Sequence, residues 1–223
     1  QGTVSFSSSE SGSGPTLEID YTPNNHAPVL DNLGEMVLPE ISEDASVLIG
    51  ATVGDVIASA GGDRITDSDA GAVEGIAVIG SDRSDGEWQF NVGSGWSDLG
   101  DVSVSNAVVL DTSALIRFVP TADFSGQAGD LTFHAWDQTD GKLSGTIGVS
   151  VAELGGSSPF SVVTETVSQS ILAINDAPLV SGIENAALEF VEGTPEITIT
   201  STITLTDIDN GLLHSAMVSI GSN

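Results

Sequence analysis

Asp67-Ser68-Asp69 and Asp207-Ile208-Asp209 are the residues of this sequence best suited to chemistry. The first pair lies in Thr66-Asp67-Ser68-Asp69-Ala70-Gly71 and the second in Thr206-Asp207-Ile208-Asp209-Asn210-Gly211, an offset of 140 positions. In an extended backbone alternate side chains share a side, so both carboxylates of each pair face one way. Asn175-Asp176, in Ile174-Asn175-Asp176-Ala177-Pro178, adds an amide oxygen and a carboxylate. Hard oxygens of this kind suit calcium, which takes about six to eight of them. Left alone such a cluster repels itself, and a divalent ion turns the repulsion into a clamp. Asp also caps turns without any metal. The repetition of the pair, the linker and the acidity of the chain together favour calcium.

The linker is repeated as well. Asn25-His26-Ala27-Pro28 matches Asn175-Asp176-Ala177-Pro178 at an offset of 150 positions, with His26 standing where Asp176 stands. Two motifs recurring in the same order at similar spacing are an internal repeat. Proline after Ala177 biases that residue toward an extended backbone, so the joint reads as stiff and straight.

Composition narrows the function. The 223 residues carry 32 acidic and 4 basic side chains, a formal charge of −28. Binding to nucleic acid needs Lys and Arg against phosphates and is excluded, and anionic membranes are disfavoured for the same reason. With 39% apolar residues the chain can bury a core. There is no cysteine, which removes disulfides, thiolate zinc sites and cysteine nucleophiles. In an extracellular protein, metal would then do the rigidifying that disulfides usually do. No run is apolar and long enough to span a bilayer, and no secretion signal is visible. The opening at Gln1 leads us to expect a window on a longer chain.

The elements that must position these acids read as strands. Residues 1–23 resemble the last strands of a preceding β domain: Thr3–Phe6 and Thr16–Tyr21 alternate around a turn at Ser11–Pro15. Residues 24–176 read as one β domain with no sustained helical period. Its candidate strands are Ala72–Ile79, Glu87–Val92 with Trp88, Phe90 and Val92 on one face, Ala114–Pro120, Leu131–Trp136 and Phe160–Ile174. Trp96 returns on the partner strand of the Glu87–Val92 hairpin. Residues 177–223 begin a second unit, with strands expected at Thr198–Thr206, where Ile199, Ile203 and Leu205 share a parity, and at Ser215–Ile220. Many short strands with Gly, Asp and Ser turns indicate an all-β sandwich.

Other chemistries fit less well. His26, His134 and His214 lie in separate segments without ligand spacing, which argues against zinc. No nucleophile elbow is present. Chance acidic pairs are expected among 32 acids, so a glycosidase pair is not indicated. Asp-x-Asp sugar transferases are α/β proteins, and no βαβ alternation appears. Trp88, Trp96 and Trp136 could stack on sugar, but large aromatics more often fill sandwich cores. An enzyme is not expected.

Taken together, Asn175-Asp176-Ala177-Pro178 and Thr206-Asp207-Ile208-Asp209 resemble the cadherin-like tandem repeats of giant bacterial surface adhesins, the large repeat proteins of RTX/VCBS type. The likeness extends through Gly61–Val78, Ile116–Pro120, Asp123-Phe124-Ser125-Gly126 and Ala135-Trp136-Asp137-Gln138. It implies Ig/cadherin-like β-sandwich repeats joined by calcium-binding linkers, in a secreted or cell-surface protein of bacteria. By that likeness Glu43, with Glu192 as its counterpart in the next repeat, supplies an early-strand ligand, and Asp137 and Asp140 resemble the later Asp that closes such a site. The implied partners are neighbouring repeats of the same chain, with other copies of it, cell-surface proteins or glycans as further contacts. The implied work is extension and adhesion. Two alternatives stay open: a non-catalytic accessory module of a secreted carbohydrate-active enzyme, and a subunit of an extracellular fibre assembled by strand complementation.

Overall fold

The alternation in Glu87–Val92 predicts a strand with one dry face. In the computed structural model, which describes residues 2–6, 17–21, 24–184, 189 and 191–217, that strand is Gly86–Asn91, with Gly86, Trp88 and Phe90 buried and the residues between them partly exposed. Val92, expected on the dry face, lies past the strand end and is exposed. The strand pairs antiparallel with Leu115–Pro120 and with the short Ser97–Asp98, in a four-stranded sheet whose far edge is Ala51–Thr52.

A second sheet of six strands runs in the order Thr146–Val149, Ala107–Asp111, Gly75–Ser81, Leu131–Trp136, Phe160–Ser168, Met36–Val37. The inner residues of the two sheets share one core: Trp88, Phe90, Ile116 and Phe118 from the first, and Ile76, Val78, Leu110, Leu131 and Phe133 from the second, among others. Trp88 meets Phe118 edge to face with ring centroids 5.3 Å apart, and its indole N–H donates to the Gly129 carbonyl at 3.0 Å. Burying side chains of this size stabilises by about 1.5–3 kcal/mol each. The outer face of the six-stranded sheet is dry as well, because Trp136, Phe160, Val149 and Val151 gather over Ala77, Ala107 and Val109. This explains why Gly75–Val78 is buried on both faces rather than alternating. Gly75 has no room for a side chain: a Cβ there would lie 2.7 Å from the Leu110 carbonyl oxygen and 2.8 Å from the Trp136 ring. The expected strand Ala72–Ile79 is accordingly Gly75–Ser81, starting where the chain meets Trp136.

A helix was not expected, yet Val53–Ser59 is one. Thr52 caps it, its hydroxyl oxygen accepting from the Asp55 N–H at 3.0 Å and donating to the Asp55 carboxylate at 2.6 Å. Val53, Val56 and Ile57 face the core. Seven residues give only one set of helically spaced apolar positions, too few to stand out as a period.

Two short strand pairs frame the linkers. Val29–Leu30 pairs antiparallel with Ile65–Thr66, placing Val29 opposite Thr66 and Leu30 opposite Ile65. Leu179–Ser181 pairs antiparallel with Thr204–Thr206, placing Leu179 opposite Thr206 and Val180 opposite Leu205. The register is the same after the offsets of 150 and 140 read from the sequence. The surroundings differ. Among residues 24–184, 189 and 191–217, every buried residue falls between Pro28 and Ile171, and none of those beyond Ala177 is buried. The strand expected over Thr198–Thr206 is confined to Thr204–Thr206, and Ile199, Ile203 and Leu205 are exposed. Ser215–Met217 is not a strand, and Val218–Ile220 lies outside the described residues. Gly2–Phe6 and Leu17–Tyr21 form the expected antiparallel hairpin, whose Ser11–Pro15 turn also lies outside them. No helix among the described residues is long and apolar enough to cross a membrane.

Candidate metal centre

The acid-rich joint is assembled by a parallel pairing across the length of the first unit. Ile41–Ser42 lies alongside Ser170–Leu172, with Ile41 opposite Ile171 and Ser42 opposite Leu172. The next residue, Glu43, therefore meets the chain as it leaves the domain. Its N–H donates to the Leu172 carbonyl at 3.1 Å, and its carboxylate Oε1 accepts from the Ile174 N–H at 2.6 Å. Two residues on, the Asp176 N–H donates to Asp209 Oδ2 at 2.5 Å. Asp209 is held in turn by Asp207, whose Oδ1 accepts from the N–H groups of Asp209 and Asn210 at 3.0 and 2.9 Å. The linker is thus gripped by Glu43 on one side and Asp209 on the other.

This grip brings one carboxylate oxygen each of Glu43, Asp176 and Asp209 within 4.8 Å of one another, a group that could hold a metal ion. Asp176 Oδ2 is shut off from solvent and has no hydrogen-bond partner. Loss of hydration raises the Asp176 pKa above its ordinary value, and the charges of Asp44, Asp209, Asp123 and Glu43 push the same way. No basic side chain relieves them. Arg64 pairs with Asp31 at 2.9 Å, Arg83 with Asp101 at 2.8 Å and with Glu87, and the Arg117 guanidinium lies 4.0 Å over the Trp96 ring. Lys142 lies two residues after Asp140 in another loop, and among the described residues no ion pair reaches the three acids. An orphaned, dehydrated carboxylate oxygen among acids is the environment a hard divalent cation fits.

The first linker has the same backbone frame with a different solution. The His26 N–H donates to Asp69 Oδ2 at 2.8 Å, and its ring Nδ1 lies 2.7 Å from Asp69 Oδ1. Asp69 is held by Asp67, whose Oδ1 accepts the Asp69 N–H at 2.8 Å. The hydrogen bond and charge of Asp69 raise the His26 pKa, with a smaller push from Asp67, and the His26 backbone and ring hydrogen bonds lower that of Asp69. Asn25 Nδ2 donates to Asp137 Oδ2 at 2.7 Å and to the Ser158 carbonyl at 3.2 Å. The other oxygen of the buried Asp137 accepts from the Thr139 N–H and hydroxyl at 2.9 and 2.6 Å. Asp67 Oδ2 is the one oxygen here that is buried and without a partner.

Of the ten residues expected to ligate metal, Glu43, Asp176 and Asp209 come together, with Asp207 bracing Asp209. Asp67, Asp69 and Asp137 gather at the first linker, where His26 and Asn25 already occupy Asp69 and Asp137. Asp140 is instead a turn residue, its Oδ1 accepting from the Trp136 indole N–H and the Lys142 N–H. Asn175 is exposed, its amide donating to the Asp176 carbonyl, and Glu192 is exposed in a turn apart from the group. Sequence reasoning assigned no part to Asp44 or Asp123. Asp44 follows Glu43 directly, and Asp123 takes a left-handed backbone, φ 59°, in the loop after Pro120. Trp88 and Trp136 are core residues, and Trp96 is partly buried beneath Arg117. No protein-family model, curated protein or solved structure matches the chain.

Proposed function

We propose that this chain is a calcium-stabilised structural and adhesive segment of a long extracellular or cell-surface protein of bacteria, built of β-sandwich repeats. The observation that carries the reading is the unpartnered, dehydrated Asp176 carboxylate held between Glu43 and Asp209 with no basic side chain beside it. Glu43 belongs to the first unit, Asp176 to the linker and Asp209 to the segment beyond, so one ion would tie all three together. Glu43, Asp176 and Asp209 would hold it, with Asp44 and Asp123 adding negative field. Bound calcium supplies charge neutralisation and no turnover chemistry. The two-layer core of residues 24–174 and the repeated linker, register and Asp-x-Asp frame support a tandem arrangement. The absence of cysteine fits a chain rigidified by metal.

Calcium titration followed by small-angle scattering tests the reading. Calcium is expected to lengthen and narrow the particle, and EDTA to reverse the change. Glu43→Gln with Asp209→Asn should abolish the response. A metal-free protein as extended as the calcium form would refute it.

A further inference from the structure

The second strand pair exposes a surface whose equivalent in the first unit is covered. Leu30 and Ile65, opposite each other, are 4% and 2% exposed and belong to the main core. Their register equivalents, Val180 and Leu205, are 44% and 40% exposed. What covers the first pair is visible: Leu131–Trp136 and Phe160–Ser168 lie against Val29–Leu30, with Phe133 and Val167 in the same core. The second crossover is ten residues shorter, 25 from Val180 to Leu205 against 35 from Leu30 to Ile65, and among its described residues none is helical as Val53–Ser59 is.

We propose that the Leu179–Ser181 and Thr204–Thr206 pair is an acceptor surface for a two-strand β layer of the Leu131–Trp136 and Phe160–Ser168 kind, with large apolar residues at alternate positions. The layer belongs to a further repeat. A second copy of this chain cannot donate it, because Leu131, Phe133 and Val167 are fully buried in its own core. The charge of −28 also sets two copies against each other. The second segment adds no Lys or Arg to offset this, so association rests on the apolar face alone. This inference is independent of calcium: it depends on burial at Val180 and Leu205, not on the carboxylates.

The test extends the chain by its own logic. Asp209 is equivalent to Asp69, so residues 1–209 are followed by a second copy of residues 70–174. Hydrogen exchange is read at residues 179–205 in this chain and in the original. In the extended chain these amides should gain protection on the order of a hundredfold, and Val180→Asp should remove the gain while leaving residues 76–78 unchanged. Unchanged exchange at 179–205 overturns the proposal. Protection appearing in the original chain as its concentration rises would identify a second copy as the occupant and overturn it too. A readout that does not need the graft to fold is dye binding. The original chain should bind an apolar fluorescent dye and lose most of that binding with Val180→Asp and Leu205→Asp together. Equal dye binding by both proteins contradicts an available acceptor face.

Discussion

At the first linker the His26 N–H donates to Asp69, and at the second the Asp176 N–H donates to Asp209. Each acceptor is braced by the Asp two residues before it, and each linker leads into a strand paired in the same register. The backbone problem is the same and the charge problem is solved differently. His26 brings its own titratable base to Asp69. Asp176 brings another acid, and Glu43 adds a third. The pairs beyond differ too, the first sealed under two strands and the second open to water. Linker geometry is therefore set locally by the short motif. Whether the motif is neutralised and covered depends on what the rest of the fold delivers to it.

The largest expected effect separates the two strand pairs. Leu30→Ala leaves a cavity in a packed core and should cost about 2–5 kcal/mol in urea unfolding of the first unit. Val180→Ala removes partly hydrated methyl groups and should stay within about 0.5 kcal/mol. Similar costs at both sites would mean that Val180 is covered in solution, and the contrast between the pairs would be lost.

Metal gives the next effect. At a hundredfold excess over its dissociation constant, a calcium ion bound only to the folded form stabilises by about 2.7 kcal/mol, raising the melting midpoint by roughly 5–10 °C. Asp176→Asn provides a sharper test because its sign changes. In EDTA the amide removes a strained negative charge, so the variant should melt at or above the parent. In calcium it lacks a ligand and should melt below it. Stabilisation under both conditions would show an acid cluster without a metal. The raised Asp176 pKa also fixes a direction with pH. The folded state holds this proton more tightly than the unfolded state. In metal-free protein the penalty for ionising Asp176 is therefore absent below its unfolded value and grows as pH rises through the folded one. Protons compete with calcium, so the calcium-induced shift should shrink as pH falls through that folded value.

Much of this frame was legible because the motifs recur. The Asn-x-Ala-Pro linkers and the Asp-x-Asp pairs have fixed spacing, and their local hydrogen bonds need only neighbours in sequence, as with Asp67 and Asp69. Gly86–Asn91 was legible because one covered face imposes a period of two. The same period at Ile199, Ile203 and Leu205 produced a strand only at Thr204–Thr206 among exposed side chains, since alternation marks a face that could be buried without supplying its cover. The convergence of Glu43 on Asp176 depends on parallel pairing between strands about 130 residues apart, which no local pattern encodes. Asp44 arrives with Glu43, and Asp123 lies just before Gly126–Gln127, which pairs antiparallel with Ser170–Leu172. In the sequence Asp123 stands out only within the Asp123-Phe124-Ser125-Gly126 likeness and Asp44 only as the neighbour of Glu43, neither with a ligand role.

The smallest effect concerns pH at the first linker, where a ring stands in the position of Asp176. The folded His26 pKa lies above its ordinary value of 6.5, chiefly through the hydrogen bond to Asp69. Its contribution to stability is therefore complete below about 6.5 and is lost as pH rises through the raised folded value. The folded Asp69 pKa lies below its ordinary value of 3.8, so its contribution is present above 3.8 and is lost as pH falls through the lowered folded value. The His26–Asp69 pair should hold the first linker most firmly between those two limits. The His26 side chain is 65% exposed, so salt and water screen the pair, and the effect should stay below that expected of calcium at the second linker. Amide protection factors, taken relative to the intrinsic exchange rate at each pH, should fall at residues 26–30 and 65–69 above neutral pH with no parallel fall at 176–181, and His26→Gln should flatten the dependence. His26→Asp would give the first linker the chemistry of the second. If His26 alone spares that linker a need for metal, this variant should loosen it in EDTA at neutral pH. Unchanged protection at residues 26–30 would show that the backbone hydrogen bond to Asp69, rather than the imidazole, holds the linker.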